Sequence, residues 1–214
     1  MMTLAQILSG IEQGRFPAPD AGVTVVPAPS SGATAAVLAL TGHHVIAADV
    51  DPAWVAERIP ERDLTAPMNP PFLRAMEELT GRRVNAVDAM LVAEAITDPA
   101  EREASVAGLV EVTDRDHPRV RRALRYRDDV RVHTEDNGGV VIIGRGLAGR
   151  LECAVEVPED RHGNGEGRRL ARAVRALIPA PYVWAQITPG NAASLRAFLA
   201  AGFRPVGSEA LLVD

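Results

Sequence analysis

The chain has 214 residues, 47% hydrophobic, 24% charged and 4% aromatic, ordinary proportions for a globular protein with a sizeable core. Its formal charge of −5 excludes a general nucleic-acid binder, which needs a basic surface to displace counterions. The single cysteine, Cys153, excludes an internal disulfide framework and a cysteine-only metal cluster. No apolar run reaches the roughly 18 residues of a membrane span, and the N-terminus lacks a basic segment followed by an apolar one, so a cytoplasmic protein without membrane or nucleic-acid partners is expected. All 23 positive charges are arginine, which we read, with the many alanines, as a coding bias.

In chain order, "LAQILSGIEQG" is an amphipathic segment ended by "PAPD". "VTVVP", "AAVLAL" and "HHVIAADV" are three strands, the last two joined by a Thr41-Gly42 turn. Asp51-Pro52 opens a helix as N-cap and first helical residue. "NPPFLRAMEELTG" places Phe72, Leu73, Met76 and Leu79 at helical spacing before Gly81. "DAMLVAEAI" fits a strand or a buried helix. The charged stretch 97–106 lacks periodicity and marks a boundary, giving an N-terminal α/β lobe over 1–100 and a second domain over 107–214.

The second domain reads as a strand at "GLVEVT" and a helix at "DHPRVRRALRYR" with Val120 and Leu124 inward. A strand at "DVRVHTED" comes next, then a "DNGG" turn and strands at "VVIIG" and "RLECAVEV". A helix at "GRRLARAVRALI" succeeds them, with Leu170, Val174 and Leu177 on one face. The domain closes with a strand at "YVWAQIT", a helix at "NAASLRAFLAAG" and a final strand region at "FRPVGSEALLV". The expected class is α+β, a mixed, mostly antiparallel sheet flanked by helices, with a smaller N-terminal α/β lobe.

Two glycine runs compete for a phosphate. Gly144-Arg145-Gly146-Leu147-Ala148-Gly149 matches the dinucleotide pattern G-x-G-x-x-G, but a dinucleotide turn must open a helix. The segment after Gly149 instead has period two in Leu151, Cys153, Val155 and Val157, so the glycines turn one strand into the next. "VEVPEDRHGNGEGRRLARAV" has the missing helix. Alternating Gly163, Gly165 and Gly167 let backbone N–H groups converge, and the helix dipole adds to them. No Gly-Lys-Ser/Thr succeeds them, so it is not a Walker loop; the bland alternative is a flexible strand-to-helix connection.

This loop, together with "ITPGNAASLRAFLAAGFRPVG", resembles the GNAT superfamily of acyl-CoA-dependent N-acyltransferases over residues 107–214. The resemblance implies acetyl-CoA or another acyl-CoA as co-substrate. Val155 and Val157 would lie along its pantetheine arm, with His162, Gly163, Asn164, Gly165, Glu166, Gly167 and Arg168 around its pyrophosphate. Asn191 and Phe198 would frame the same arm. His162 stands where the family has Gln or Arg, and Pro158 sits one place early. Phe198 occupies the position of the tyrosine that protonates the leaving thiolate, so Tyr182, Tyr126 or water would replace it, or no acid is needed.

Glu152 and Glu156 share strand parity, so both fit a cleft wall as general base or a solvent-facing polar edge. His133 is a further base candidate. His43 and His44 adjoin a turn where one can point inward, without a carboxylate cluster of metal-ligand spacing. The arginines of 119–131 fit a clamp for an acidic substrate or a solvated helix face, and Cys153 a small buried hydrophobe. The implied reaction is transfer of an acyl group to a small-molecule or peptide amine by direct attack in a ternary complex, in a chain that could form a homodimer. The alternative is a catalytically degenerate acyl-CoA-binding module or sensor. The N-terminal lobe fits a reduced second copy of the fold or a substrate cap.

Overall fold

The computed structural model describes residues 2–29, 35–113 and 115–214. In chain order its elements are α1 (Leu4–Glu12), β1 (Val23–Val26), β2 (Ala35–Leu40), β3 (His43–Ala47), α2 (Pro52–Ala56), α3 (Pro70–Thr80) and β4 (Arg83–Glu94). Next come α4 (Pro99–Val106), β5 (Val110–Val112), α5 (Pro118–Tyr126), β6 (Asp128–Thr134), β7 (Val140–Arg145) and β8 (Leu151–Glu156). The chain ends with α6 (Glu166–Leu177), β9 (Tyr182–Ile187), α7 (Ala192–Ala200) and β10 (Arg204–Val213). No described helix is long and apolar enough to cross a membrane.

The chain divides into two compact units, 1–90 with 206–214, and 91–205. The division therefore falls inside β4 and β10 rather than in 97–106. That segment is α4, capped by the Asp98 carboxylate on the Glu101 N–H (2.8 Å), with Pro99 at its start. "DAMLVAEAI" lies largely within strand β4.

In the first unit the strand order is β1-β3-β2-β10-β4. β1 runs parallel to β3, while β2 is antiparallel to β3 and to β10. Val37, Ile46, Ala210 and Leu212 form one face, packed with Val55, Phe72, Leu73 and Met76 of the α2–α3 region. Leu79 is 49% exposed, one turn past the end of the apolar stripe. β3 is buried along its whole length, so His43 and His44 both point inward, to opposite faces. Burial, and then the neighbouring His43, pushes the His44 imidazole below its ordinary value.

In the second unit the order is β9-β8-β7-β6-β5, antiparallel except for the parallel β8–β9 pair. α5 lays Val120 and Ala123 on Val130, Val132, Val140 and Ile142, with Ala154 at the margin. Ala123 takes the place expected of Leu124, which is 43% exposed. α6 packs on β7, β8 and β9, and α4 and α7 pack on α6. Each unit is thus a mixed, mostly antiparallel sheet with helices, an α+β protein.

"GRGLAG" joins β7 to β8 as a reversal through a short 3₁₀ turn at Leu147–Gly149. Gly149 and Ala148 have positive φ, whereas Gly144 and Gly146 do not. Those two glycines make room: a β-carbon on Gly146 would meet Glu152, and one on Gly144 would press on Arg127 and Val130.

Candidate functional site

The second glycine run comes directly after β8. Past Val157 and Pro158 a 3₁₀ turn at Glu159–Arg161 leads into the loop, and His162 Nε2 donates to the Val157 carbonyl (3.0 Å). Gly163 and Gly165 take positive φ (82° and 83°), which a side chain would strain. Gly165 is the N-cap of α6 and supplies no side-chain acceptor. The first-turn amides of Glu166, Gly167 and Arg168 are therefore left for a ligand or water at the positive end of a twelve-residue helix.

An open groove of about 460 Å³ lies here, lined by Asn164, Gly165, Glu166, Arg168, Arg169 and Arg172. Glu166 would repel an anion, but Arg161 (2.7 Å) and Arg169 (2.7 Å) both hold its carboxylate. Those contacts keep its carboxyl below the usual carboxylate range. Arg169 also grips Glu135 through two N–H groups, and Arg172 pairs with Glu101 (2.7 Å). Arg168 is exposed and has no ion pair among the described residues. The charge offered to an incoming anion is therefore that of Arg168 and the helix end.

The β8–β9 ladder is short. Glu152 pairs with Trp184 and Cys153 with Ala185, and the register ends there although both strands continue, to Glu156 and Ile187. β8 beyond Cys153, which carries Val155 and leads to Val157, runs on without its β9 partner. Ala154 faces α5, so by alternation Val155 faces the α6 side. A β-carbon on Gly167 would stand at ordinary contact distance from Ala197 of α7 and from Val157, so the start of α6 lies near the end of β8.

The two glutamates of β8 have different fates. Glu152 is 5% exposed and accepts from Arg150 Nε (2.8 Å), Arg127 Nε (3.0 Å) and the Leu147 N–H (3.2 Å). Burial alone would raise its carboxyl, but Arg150 and Arg127 outweigh burial and hold it low. A buried, ionised, fully engaged carboxylate is a fold element; the expectation of Glu152 as a cleft-lining base is corrected, because Arg127, Arg150 and the Leu147 N–H occupy its two oxygens. Glu156 is half-exposed, pairs with Arg119 and lies 3.7 Å from His117 Nε2. His117 Nδ1 accepts the Arg119 N–H (3.3 Å) as the N-cap of α5, so the neutral ring carries its proton on Nε2, toward Glu156.

Of the remaining candidates, Asn191 caps α7 by accepting the Ser194 N–H (3.0 Å). Phe198 is buried and meets Phe203 edge-on, with centroids 4.9 Å apart. His133 is buried, and burial lowers its imidazole. Tyr126 and Tyr182 are half-buried. Cys153 is buried and burial pushes its thiol up to about 12. In the arginine set, Arg119, Arg127 and Arg131 pair with Glu156, Glu152 and Glu111, while Arg121, Arg122 and Arg125 are exposed. Arg127 Nη2 also donates to Gln186 Oε1 (3.3 Å) on β9. Sequence reasoning missed His117 and Gln186; a histidine just before Pro118 at a helix start was a readable capping signal, whereas Gln186 carried none.

No family model matches the chain, and no curated protein matches it. Solved structures do show likeness. A GCN5-related N-acetyltransferase from Kribbella flavida is 15% identical, with 65% of this chain and 63% of that chain covered and a TM-score of 0.37. A functionally unknown conserved protein from Staphylococcus epidermidis is 13% identical, with 67% and 66% covered and a TM-score of 0.41. A protein from Novosphingobium aromaticivorans assigned as a GNAT-family acetyltransferase is 18% identical, with 63% and 68% covered and a TM-score of 0.40. The chain spans just under two thirds of the length of the first two. At these identities and TM-scores the likeness says nothing of reaction or substrate.

Proposed function

We propose that the unit 91–205 is an acyl-CoA-dependent N-acyltransferase acting on an amine. The observation that carries this reading is the meeting of two features: a strand whose ladder stops at Cys153, and a glycine loop that delivers an uncapped helix start to the end of that strand. An extended thiol ester arm fits along the free edge of β8 past Val155 and Val157. Its pyrophosphate would lie on the amides of residues 163–168, with Arg168 alongside. Acetyl-CoA or a similar acyl-CoA would then be the donor.

In this reading the chain's own groups perform three tasks. Main-chain N–H groups at the end of β8 stabilise the oxyanion that forms when the amine attacks the thioester carbonyl. Glu156, with His117 beside it, takes the proton the amine must lose, directly or through water. At this site Cys153 does not serve as a covalent nucleophile, because its thiol is buried and protonated. The leaving thiolate takes its proton from water or from Tyr126 or Tyr182, since Phe198 has none to give.

Burial of Phe198 against Phe203 favours a second reading, an acyl-CoA-binding module without turnover. A thiol-release assay with acetyl-CoA over a panel of amines separates the two. Release dependent on an amine supports the enzyme. CoA binding without release on any amine supports the module, and no binding overturns both.

A further inference from the structure

Outside this site, the first unit holds a chain of hydrogen bonds that the proposed reaction does not use. Asp20 Oδ1 lies 2.7 Å from His43 Nδ1, and His43 Nε2 lies 2.9 Å from Thr24 Oγ1. A carboxylate only accepts, so the His43 proton sits on Nδ1 and Nε2 presents its lone pair to the Thr24 hydroxyl. Asp20 is ionised: its bond with His43, and then the Gly22 N–H (2.8 Å), keep its carboxyl below the ordinary range. His43 is buried, its ring held between two partners, while Thr24 is half-buried. Hydroxyl, imidazole and carboxylate thus stand in the order that activates a nucleophile.

The backbone adds a fourth element. β1 is an edge strand, and the His44 and Ala48 N–H groups donate to the Gly22 and Val26 carbonyls (both 3.0 Å). In a parallel ladder alternate residues bond inward, so Gly22, Thr24 and Val26 face β3 and Val25 turns its N–H outward. Among the described residues no strand pairs with that edge. The Val25 N–H, next in chain after the nucleophile, is where an oxyanion donor stands in other acyl-transfer sites.

We propose that Thr24, His43 and Asp20 form a second, separate acyl-transfer site that takes an activated acyl ester or thioester. Thr24 Oγ1 attacks the acyl carbon while its proton passes to His43 Nε2, and the tetrahedral oxyanion meets the Val25 N–H. The bond to the leaving alkoxide or thiolate breaks, His43 returns the proton to it, and the acyl group remains on Thr24 as an ester. Asp20 is a positioning residue, fixing the ring and its tautomer and supporting the imidazolium.

The test uses the full chain with p-nitrophenyl acetate, tracking nitrophenolate release and mapping acetylated peptides by mass spectrometry. Acetyl on Thr24, formed with a burst of nitrophenolate, is expected. Thr24→Val, close in shape but lacking the hydroxyl, abolishes it; Thr24→Ser keeps it; His43→Gln slows it by about 100-fold or more. Asp20→Asn slows it, and Asp20→Glu, which keeps a carboxylate for Nδ1, restores part of the rate. No acetyl on Thr24 of the native chain, acetyl only at other residues, or an unchanged rate in His43→Gln overturns the proposal. The first two outcomes are read on the unmutated protein, so they stand whether or not a variant folds.

Discussion

A β-carbon on Gly146 would lie 2.3 Å from the carboxyl carbon of Glu152, closer than any real contact. The glycine that imitates a dinucleotide motif is therefore a space for a buried carboxylate. Gly146→Ala must push Glu152 away from Arg150 and Arg127, and breaking a buried ion pair costs about 3–5 kcal/mol. Gly149→Ala meets nothing within 4 Å and carries only the positive-φ penalty, about 1–2 kcal/mol. Denaturant unfolding of the two variants should rank them in that order; equal losses would show that Glu152 makes room for the added β-carbon without losing its ion pairs.

The same carboxylate gives the second unit an acid limit. Glu152 is held below its ordinary 4.5 when folded, so its contribution is present above that value. It is lost as pH falls through the lower folded value. Trp184 is the only tryptophan of that unit and Trp54 lies in the other, so a Trp54→Phe background makes fluorescence report on the second unit. In that background stability should fall as pH drops below 4.5, and Glu152→Gln should flatten the fall. An unchanged slope in Glu152→Gln would assign the acid limit to other groups.

Cys153, with its thiol pushed up to about 12 and its side chain buried, should be inert to a disulfide reagent at about pH 8 in the folded chain. It should react fully once denaturant unfolds the protein. Reaction at the rate of a free thiol in the folded state would contradict the burial and reopen a covalent mechanism.

The two β8 glutamates should separate in function as they do in structure. Glu156→Gln is expected to lower turnover by about 10²- to 10⁴-fold with CoA affinity and stability nearly unchanged. Glu152→Gln should lower stability first. If Glu156→Gln keeps full turnover, the base lies elsewhere.

Much of this was legible in the sequence where the signal is local. Period two in "RLECAVEV" distinguished a strand reversal from a dinucleotide turn, and "GRRLARAV" gave the helix that begins after Gly165. The fate of Glu152 was not legible: strand parity assigns a face, but what meets the carboxylate there includes Arg127, 25 positions away in the chain. The "DP" pair that reads as a helix start at Asp51-Pro52 recurs at Asp98-Pro99, where surrounding charge obscured α4. One neighbour of β10 is β2, near the other end of the chain, and no local pattern encodes so distant a register. Leu79 and Leu124 show the limit of an apolar stripe, since each keeps helical spacing but points past the surface that its helix covers.

Titration calorimetry with CoA tests whether the loop around Gly165 binds the pyrophosphate of an acyl-CoA. Wild-type protein should bind at one site. Gly165→Asp should not: its side chain has open space, so folding loses only the positive-φ penalty of about 1–2 kcal/mol, while a carboxylate is set against the phosphates. Wild-type affinity in a folded Gly165→Asp variant, or no binding by the wild-type chain, would contradict the assignment.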